Sequence, residues 1–335
     1  MTKTVSVDEL LALATGALVA ANTSPENAAM VAEALVAADA EGLSGHGVSR
    51  VPFYADQALS GKVDGRAVPE VRVTASGAVY VDARDGFAYP AIRLGLDRAL
   101  SLVGDAGTVS VAVTNSHHSG SSGYHVEHIA NHGCIALGFT NSPSAMAPWG
   151  GHKGTFGTNP IAFACPRRNH APLVIDLSLS KVARGKIMVA AQKGEGIPLG
   201  WALNAEGQPT TDANAAMAGT MVPIGDAKGA ALALMVEILT AALTGAHFAY
   251  EASSFFTAEG PPPRIGQFFL VIDPRVFAGA RFTARVEELI AQIRAQEGTR
   301  LPGDRRLAQR EKARRAGIVI PEPLYQDLVR RAGRG

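Results

Sequence analysis

The run Val109-Ser110-Val111-Ala112-Val113, followed by Thr114-Asn115-Ser116-His117-His118-Ser119-Gly120, decides the fold class of this chain. Its β-branched residues predict a strand that empties into a polar loop. A helix is expected from about Ser122 to Gly133, and a second strand from Cys134 to Phe139, ending in Thr140-Asn141-Ser142. Strand, polar loop, helix, strand is the α/β rhythm, and loops beyond strand ends are where ligands gather in such sheets.

Towards the amino terminus the pattern is helical. Ser6 with Glu9 forms a capping box, and Ser24-Pro25-Glu26 starts a second helix with proline in its first turn. That alanine-rich helix ends at Gly42 and delivers the chain into Ser44-Gly45-His46-Gly47-Val48-Ser49-Arg50. A third helix follows from about Val51 to Leu59, then a short strand at Val79–Val81 and a helix from Tyr89 to Leu102, closed near Gly104. His46 titrates near neutrality and can hand a proton to a developing alkoxide. Arg50 offers a fixed fork of donors that fits a carboxylate. Together they suit a small 2-oxo or 2-hydroxy acid, although the loop alone also reads as a glycine-rich turn with a solvated His and Arg.

Towards the carboxyl terminus, Gly150 to Pro160 is the longest glycine-rich loop and could bring backbone N–H groups close to an anion. Leu173–Ile175 predicts a buried strand ending at Asp176, and the next helix, Val182 to Gln192, carries Arg184 and Lys186. Lys193 to Gly200 imitates a dinucleotide fingerprint, but it contains Pro198 and follows a helix instead of a strand. Asp226-Ala227-Lys228-Gly229 opens an apolar helix from Ala230 to Leu243 and reads equally as an anion site or an ordinary helix entry. A late strand at Phe268–Ile272 and a helix at Ala284–Gln296 precede a basic stretch, Arg300 to Arg315, read as a solvated helix face.

The chain has 335 residues, 47% of them apolar and 18% charged, with a formal net charge of +1. That length fits about two domains with a large core. The charge balance gives no reason to expect a nucleic-acid or membrane partner. Cys134 and Cys165 form no disulfide framework or metal motif, so no metal site is expected. The first residues lack a secretory pattern, no apolar run reaches membrane-span length, and a cytoplasmic protein is expected. No GxSxG elbow or activated cysteine supports a hydrolase.

Seven segments resemble, in order, the malate/L-lactate/sulfolactate dehydrogenase superfamily, which includes Δ1-piperideine-2-carboxylate reductases and ureidoglycolate dehydrogenases. They are Gly45-His46-Gly47 through Arg50, Asn115 to His118, Phe156 to Pro160, Asp176-Leu177-Ser178, Ala183 to Lys186, Lys228-Gly229 with Glu237, and Leu301-Pro302-Gly303. The resemblance implies an α/β fold with a non-Rossmann NAD(P)-binding domain and a helical domain from the two chain ends. It sets expected boundaries at 1–107, mainly helical and bearing the catalytic loop; 108–275, the nucleotide-binding domain; and 276–335, helices packing back on the amino-terminal segment.

The same resemblance implies a homodimeric oxidoreductase using NAD or NADP. His46 matches the proton donor, Arg50 the carboxylate clamp, and Thr158, Arg184 and Gly185 substrate-contacting positions. His118, Ser119, Gly120, Ser121 and Ser122 match one cofactor segment; Asp176, Leu177 and Ser178 a second; Ala227 and Lys228 a third. Arg300, Leu301, Pro302, Gly303, Asp304, Arg305 and Arg306 match a fourth. Ureidoglycolate dehydrogenases use the histidine at the position of His118 as acid/base, so His118 is the second candidate for that role. The family serine before the catalytic histidine is Gly45 here, with Ser44 as the expected substitute. Imino-acid reductases carry aspartate where this chain has Lys186. A cation there suits an oxo acid, whose oxygen gathers negative charge during reduction. The resemblance therefore implies sulfolactate-, malate- or lactate-type chemistry, with cyclic imino-acid reduction as the alternative.

Overall fold

The computed structural model describes residues 1–333. The chain opens with strand β1 (Thr2–Val5) and helices α1 (Val7–Ala20), α2 (Pro25–Ala40) and α3 (Val51–Ser60). There follow β2 (Glu70–Ala75), β3 (Ala78–Asp82), α4 (Ala88–Ala106), β4 (Thr108–Ser116), α5 (Ser122–Asn131), β5 (Ile135–Thr140), β6 (Ile161–Cys165) and β7 (Leu173–Leu177). A small lobe holds α6 (Arg184–Lys193), β8 (Ala202–Leu203), β9 (Pro209–Thr210), α7 (Ala213–Ala218) and β10 (Thr220–Met221). The chain ends with α8 (Ala227–Glu237), β11 (Ile265–Ile272), α9 (Phe282–Arg294), α10 (Asp304–Ala316), β12 (Ile318–Pro321) and α11 (Glu322–Arg331).

The amino-terminal helices begin as their sequence directs. The Ser6 hydroxyl accepts from the Glu9 N–H at 3.1 Å, and the Ser24 hydroxyl from the Asn27 N–H at 3.3 Å. Helix α4 runs past Gly104 and stops at Gly107, whose φ of 71° permits the reversal. Helix α8 is shorter than its apolar pattern predicts, because Ile238–Ala242 winds into a π turn.

Seven strands form the main sheet in the order β2-β3-β4-β11-β5-β6-β7. Although joined through α5, β4 and β5 are not neighbours in the sheet. Instead β11 lies between them, antiparallel to both, with Phe268 opposite Ala112 on one side and Phe139 on the other. The sheet also reaches back before residue 108, since β3 pairs in parallel with β4 and α4 covers it. Gly95 permits that cover: a Cβ there would lie 2.7 Å from a Val111 methyl and 2.9 Å from a Val81 methyl.

The two chain ends share a separate core. β1 pairs with β12, and Leu10, Leu13, Leu18 and Leu35 pack with Ile318, Ile320 and Leu328. Arg306 and Arg310 of the basic stretch reach the enclosed carboxylates of Glu41 and Glu127, with Arg306 donating to Glu127 at 2.7 Å and to Glu41 at 3.0 Å. So α10 is anchored to α2 and α5 by ion pairs, in place of the solvated face its sequence predicts. No helix among the described residues is long and apolar enough to cross a membrane.

Gly95→Val is expected to lower unfolding stability by about 1–3 kcal/mol, because the added methyls enter a packed sheet–helix interface. Urea unfolding measures it, and an unchanged midpoint would show that α4 can lift at no cost.

Candidate active site

The loop between α2 and α3 is two consecutive 3-10 turns, Ser44–His46 and Val48–Arg50. Asp39, near the end of α2, fastens it by accepting from the Val48 N–H at 2.6 Å. Gly47 is required there, since a Cβ would lie 2.2 Å from the Asp39 carboxyl group. Burial pushes that carboxyl up to about 6, against the opposing pull of the Val48 N–H. Gly45 is different: a Cβ at that position meets nothing within 4 Å, and its φ is not positive.

Arg50 folds back on its own loop, its Nε donating to the Gly45 carbonyl at 2.8 Å. Its guanidinium lies 4.6 Å over the Phe256 ring. One terminal nitrogen, Nη1, is buried without a partner, and burial lowers the arginine's affinity for its proton. An enclosed guanidinium with no carboxylate beside it is costly, and its free donors match a two-point contact with an acid.

His46 stacks on His118, with ring centroids 5.4 Å apart and planes 15° from parallel. Its Nδ1 is buried and unpaired, leaving Nε2 as the accessible nitrogen. Burial, aided by the Arg50 charge, pushes its pKa down to about 4. His118 is better held, because its Nδ1 lies 2.6 Å from the Tyr54 hydroxyl. Burial first, then Arg50 and the two neighbouring imidazoles, keeps His118 neutral well below the usual range.

His117 points the other way, its Nε2 2.7 Å from Gln57 Oε1. Because the Gln57 amide nitrogen already donates to the Phe255 and Thr257 carbonyls, its oxygen must accept, and the proton sits on His117 Nε2. Lys62 completes this grip by donating to the carbonyls of Ser254, Thr257 and Glu259 at 2.6–3.0 Å. The clamped loop presses Phe255 against both His117 and His118.

Three of the four expected cofactor segments converge. Asp176, at the end of β7, accepts from the Ser121 hydroxyl at 3.0 Å and the Gly123 N–H at 2.7 Å. Gly303 adopts φ 87° with its Cβ position 3.4 Å from the Val174 carbonyl, and Arg306 ties the same corner to α5. Gly120, with φ 68°, leaves no room for a side chain beside the Tyr89 hydroxyl. These close backbone approaches, with exposed Arg300 and Arg305 and the buried, unpaired Arg306 Nε, suit an anionic dinucleotide. Ala227 and Lys228 stand exposed at the start of α8, with no hydrogen bond from the lysine side chain to the other three segments.

The other expected residues lie further along. Thr158 meets Ser142 and Ser178: its N–H donates to the Ser142 hydroxyl at 3.1 Å, and its carbonyl accepts from the Leu179 N–H at 2.9 Å. Arg184 lines a cleft of about 410 Å³ with His152, Lys153 and Thr220, while Gly185 and Lys186 are exposed on α6. Among the described residues Ser44 makes no side-chain bond to His46, and its carbonyl instead accepts from the Ser49 hydroxyl at 2.7 Å. Tyr54 and Gln57 are missing from the sequence reading, although they follow Arg50 at helical spacing on α3. Phe255 and Phe256 carry no such signal.

The buried histidines and the open space at Gly45 each set one expectation. His46, His117 and His125 have pKa values pushed down to about 4, 3 and 4, mainly by burial. The unfolded chain binds protons there that the folded chain refuses, so stability is present above about pH 6.5 and falls towards pH 4. Urea midpoints at pH 7, 6 and 5 should decline, and a flat profile would contradict the burial of these rings. Gly45→Ser should fold with stability within about 0.5 kcal/mol of the parent, as expected of an unobstructed surface change. A marked loss of stability would refute the open space at that position.

Residues 5–329 match the family model described as malate/L-lactate dehydrogenase. A protein of Chromohalobacter salexigens named (2R)-3-sulfolactate dehydrogenase (NADP(+)) is 52% identical over 328 residues, covering 98% of each chain. The crystal structure of Δ1-piperideine-2-carboxylate reductase from Pseudomonas syringae superposes with a TM-score of 0.93 at 38% identity, covering 98% of this chain and 99% of that one. Sulfolactate dehydrogenase from Methanocaldococcus jannaschii gives a TM-score of 0.90 at 28% identity, covering 99% and 98%. With its sheet, its imidazole–guanidinium loop and a match over nearly its whole length, this chain belongs to the malate/L-lactate dehydrogenase family.

Proposed function

We propose that this protein is an NADP(H)-dependent oxidoreductase that interconverts a small 2-oxo acid bearing a second acidic group with its 2-hydroxy acid, the sulfopyruvate/sulfolactate pair being the first choice. The observation that carries this reading is Arg50, an enclosed guanidinium with free donors, beside two neutral imidazoles. Arg50 clamps the substrate carboxylate. His46, through its accessible Nε2, gives the proton to the substrate oxygen. When bound, the reduced nicotinamide supplies the hydride.

The second acidic group favours cations, and Arg184, Lys153 and Lys186 all belong to the small lobe or the glycine-rich loop beside it. The name of the 52%-identical relative supports both the sulfonated acid and NADP. Relatives at 41% and 38% identity are named Δ1-pyrroline-2-carboxylate/Δ1-piperideine-2-carboxylate reductases, and cyclic imino-acid reduction is the second reading. Within the first reading, the Tyr54 bond favours His118 as an alternative proton donor. We also read the protein as a cytoplasmic homodimer: Leu234, Met235, Ile238 and Leu243, on α8 and the turns after it, expose large apolar surface that a second copy would cover.

A panel of sulfopyruvate, oxaloacetate, pyruvate, Δ1-pyrroline-2-carboxylate and Δ1-piperideine-2-carboxylate, each with NADH and NADPH, tests the substrate. We expect the highest kcat/KM for sulfopyruvate with NADPH, and preferential imine reduction would reverse the assignment. His46→Ala should lower kcat by about 10²–10⁴-fold with cofactor affinity intact. Retained turnover would pass the donor role to His118. Arg50→Lys should chiefly raise the KM for the acid, and an unchanged KM would reject the clamp.

A further inference from the structure

The reduction consumes one proton per turnover in a site whose imidazoles are neutral and largely enclosed, so the spent proton must be replaced from solvent. Behind His118 lies a line of groups that the reaction scheme above leaves unused. Tyr54 is fully buried, and its hydroxyl lies 2.6 Å from His118 Nδ1 and 3.3 Å from the Tyr89 hydroxyl. Tyr89, 3% exposed, lines a cavity of about 50 Å³ together with Glu33, Arg93 and Tyr124. That volume holds a few waters, and its walls supply the polar partners such waters need. At its rim the Tyr124 hydroxyl donates to Glu33 at 3.0 Å, and Glu33 is exposed.

We propose that Tyr54 and Tyr89 form a proton relay that carries solvent protons from the Glu33 cavity to His118 and so recharges the active site after each reduction. The inference rests on the oxidoreductase reading with His118 as its proton donor, and deepens it.

The step balances. The His118 Nε2–H bond breaks as its proton joins the substrate oxygen. The Tyr54 O–H proton moves to His118 Nδ1, the Tyr89 proton replaces it on Tyr54, and a cavity water replaces it on Tyr89. One proton enters at the cavity and one leaves in the hydroxy acid. Each phenol ends as it began, and His118 ends as the Nδ1–H tautomer, which a half-turn of its ring returns to the donating form before the next turnover. Burial raises the pKa of both tyrosines, Tyr54 to about 12 and Tyr89 well above the usual 10, so each stays protonated and able to donate and accept at once. The relay ends at His118, the alternative donor of the proposed function, and does not extend to His46, whose Nδ1 is buried without a partner.

The test uses the intact enzyme with NADPH and sulfopyruvate, comparing the parent with Tyr89→Phe and Tyr54→Phe in mixtures of H2O and D2O. Each variant removes one oxygen and keeps the ring. The relay predicts that each lowers kcat about tenfold or more, leaves NADPH affinity and the acid's KM within about twofold, and raises the solvent isotope effect on kcat. The parent's proton inventory should be curved, as several protons move, and the variants' should straighten. A merely structural role would lower stability or raise KM without changing that curvature. If one variant fails to fold, the other decides. Should the parent turn over while a folded variant keeps its kcat and a curved inventory, the relay falls and the oxidoreductase reading stands. Should the parent oxidise NADPH with no acid on the panel, both fall together.

Discussion

The site depends on the insertion of β11 between β4 and β5. One strand, arriving more than 120 residues after its neighbours, closes the middle of the sheet and fixes where both of them end. Gln267 on β11 donates to the His117 carbonyl at 3.2 Å and towards the Thr140 hydroxyl at 3.4 Å. Gly266 exchanges hydrogen bonds with Asn141 and lies so near Thr240 that any Cβ would collide with its carbonyl. The polar loops beyond β4 and β5 therefore have defined positions because a third strand holds both. The segment leading into β11 also brings Phe255 and Phe256 to the histidines and Arg50.

Electrostatics then follow from burial. Arg50 is enclosed with an aromatic face below it and no acid beside it, and its charge bears on His46, His117 and His118. Those rings are neutral, which suits a proton donor working through tautomers and hydrogen bonds more than through a standing imidazolium. Removing water from the pocket strengthens every remaining dipole there, so small changes in how the rings are held carry large consequences. The two ends of the chain supply the rigid backing. Arg306 and Arg310 lock α10 onto Glu41 at the end of α2 and Glu127 on α5, the two helices that flank the His46 and His118 segments.

Much of this was legible in local chemistry. Ser6 and Ser24 cap their helices because a hydroxyl three residues ahead of a free N–H can satisfy it at once. His46 and Arg50 were readable as members of one loop, and Gly42 as the stop of the helix before it. The basic run after Arg300 misled, since two of its arginines are absorbed by partners far away in sequence. Ser44 misled too, because a residue two places before a ring need not turn its side chain towards it.

The sequence by itself determined the α/β class, the helical entry into the His46 loop and the placing of an imidazole and a guanidinium on that one loop, because caps, turns and residue spacing act over a few residues. Only the tertiary structure decided that β11 separates β4 from β5, that His118 leans on Tyr54 while His117 leans on Gln57, and that Lys62 clamps the loop bearing Phe255. Those choices pair residues from 60 to 197 positions apart, and the free energy that selects them, burial of surface and satisfaction of enclosed polar atoms, exists only once the chain has closed upon itself.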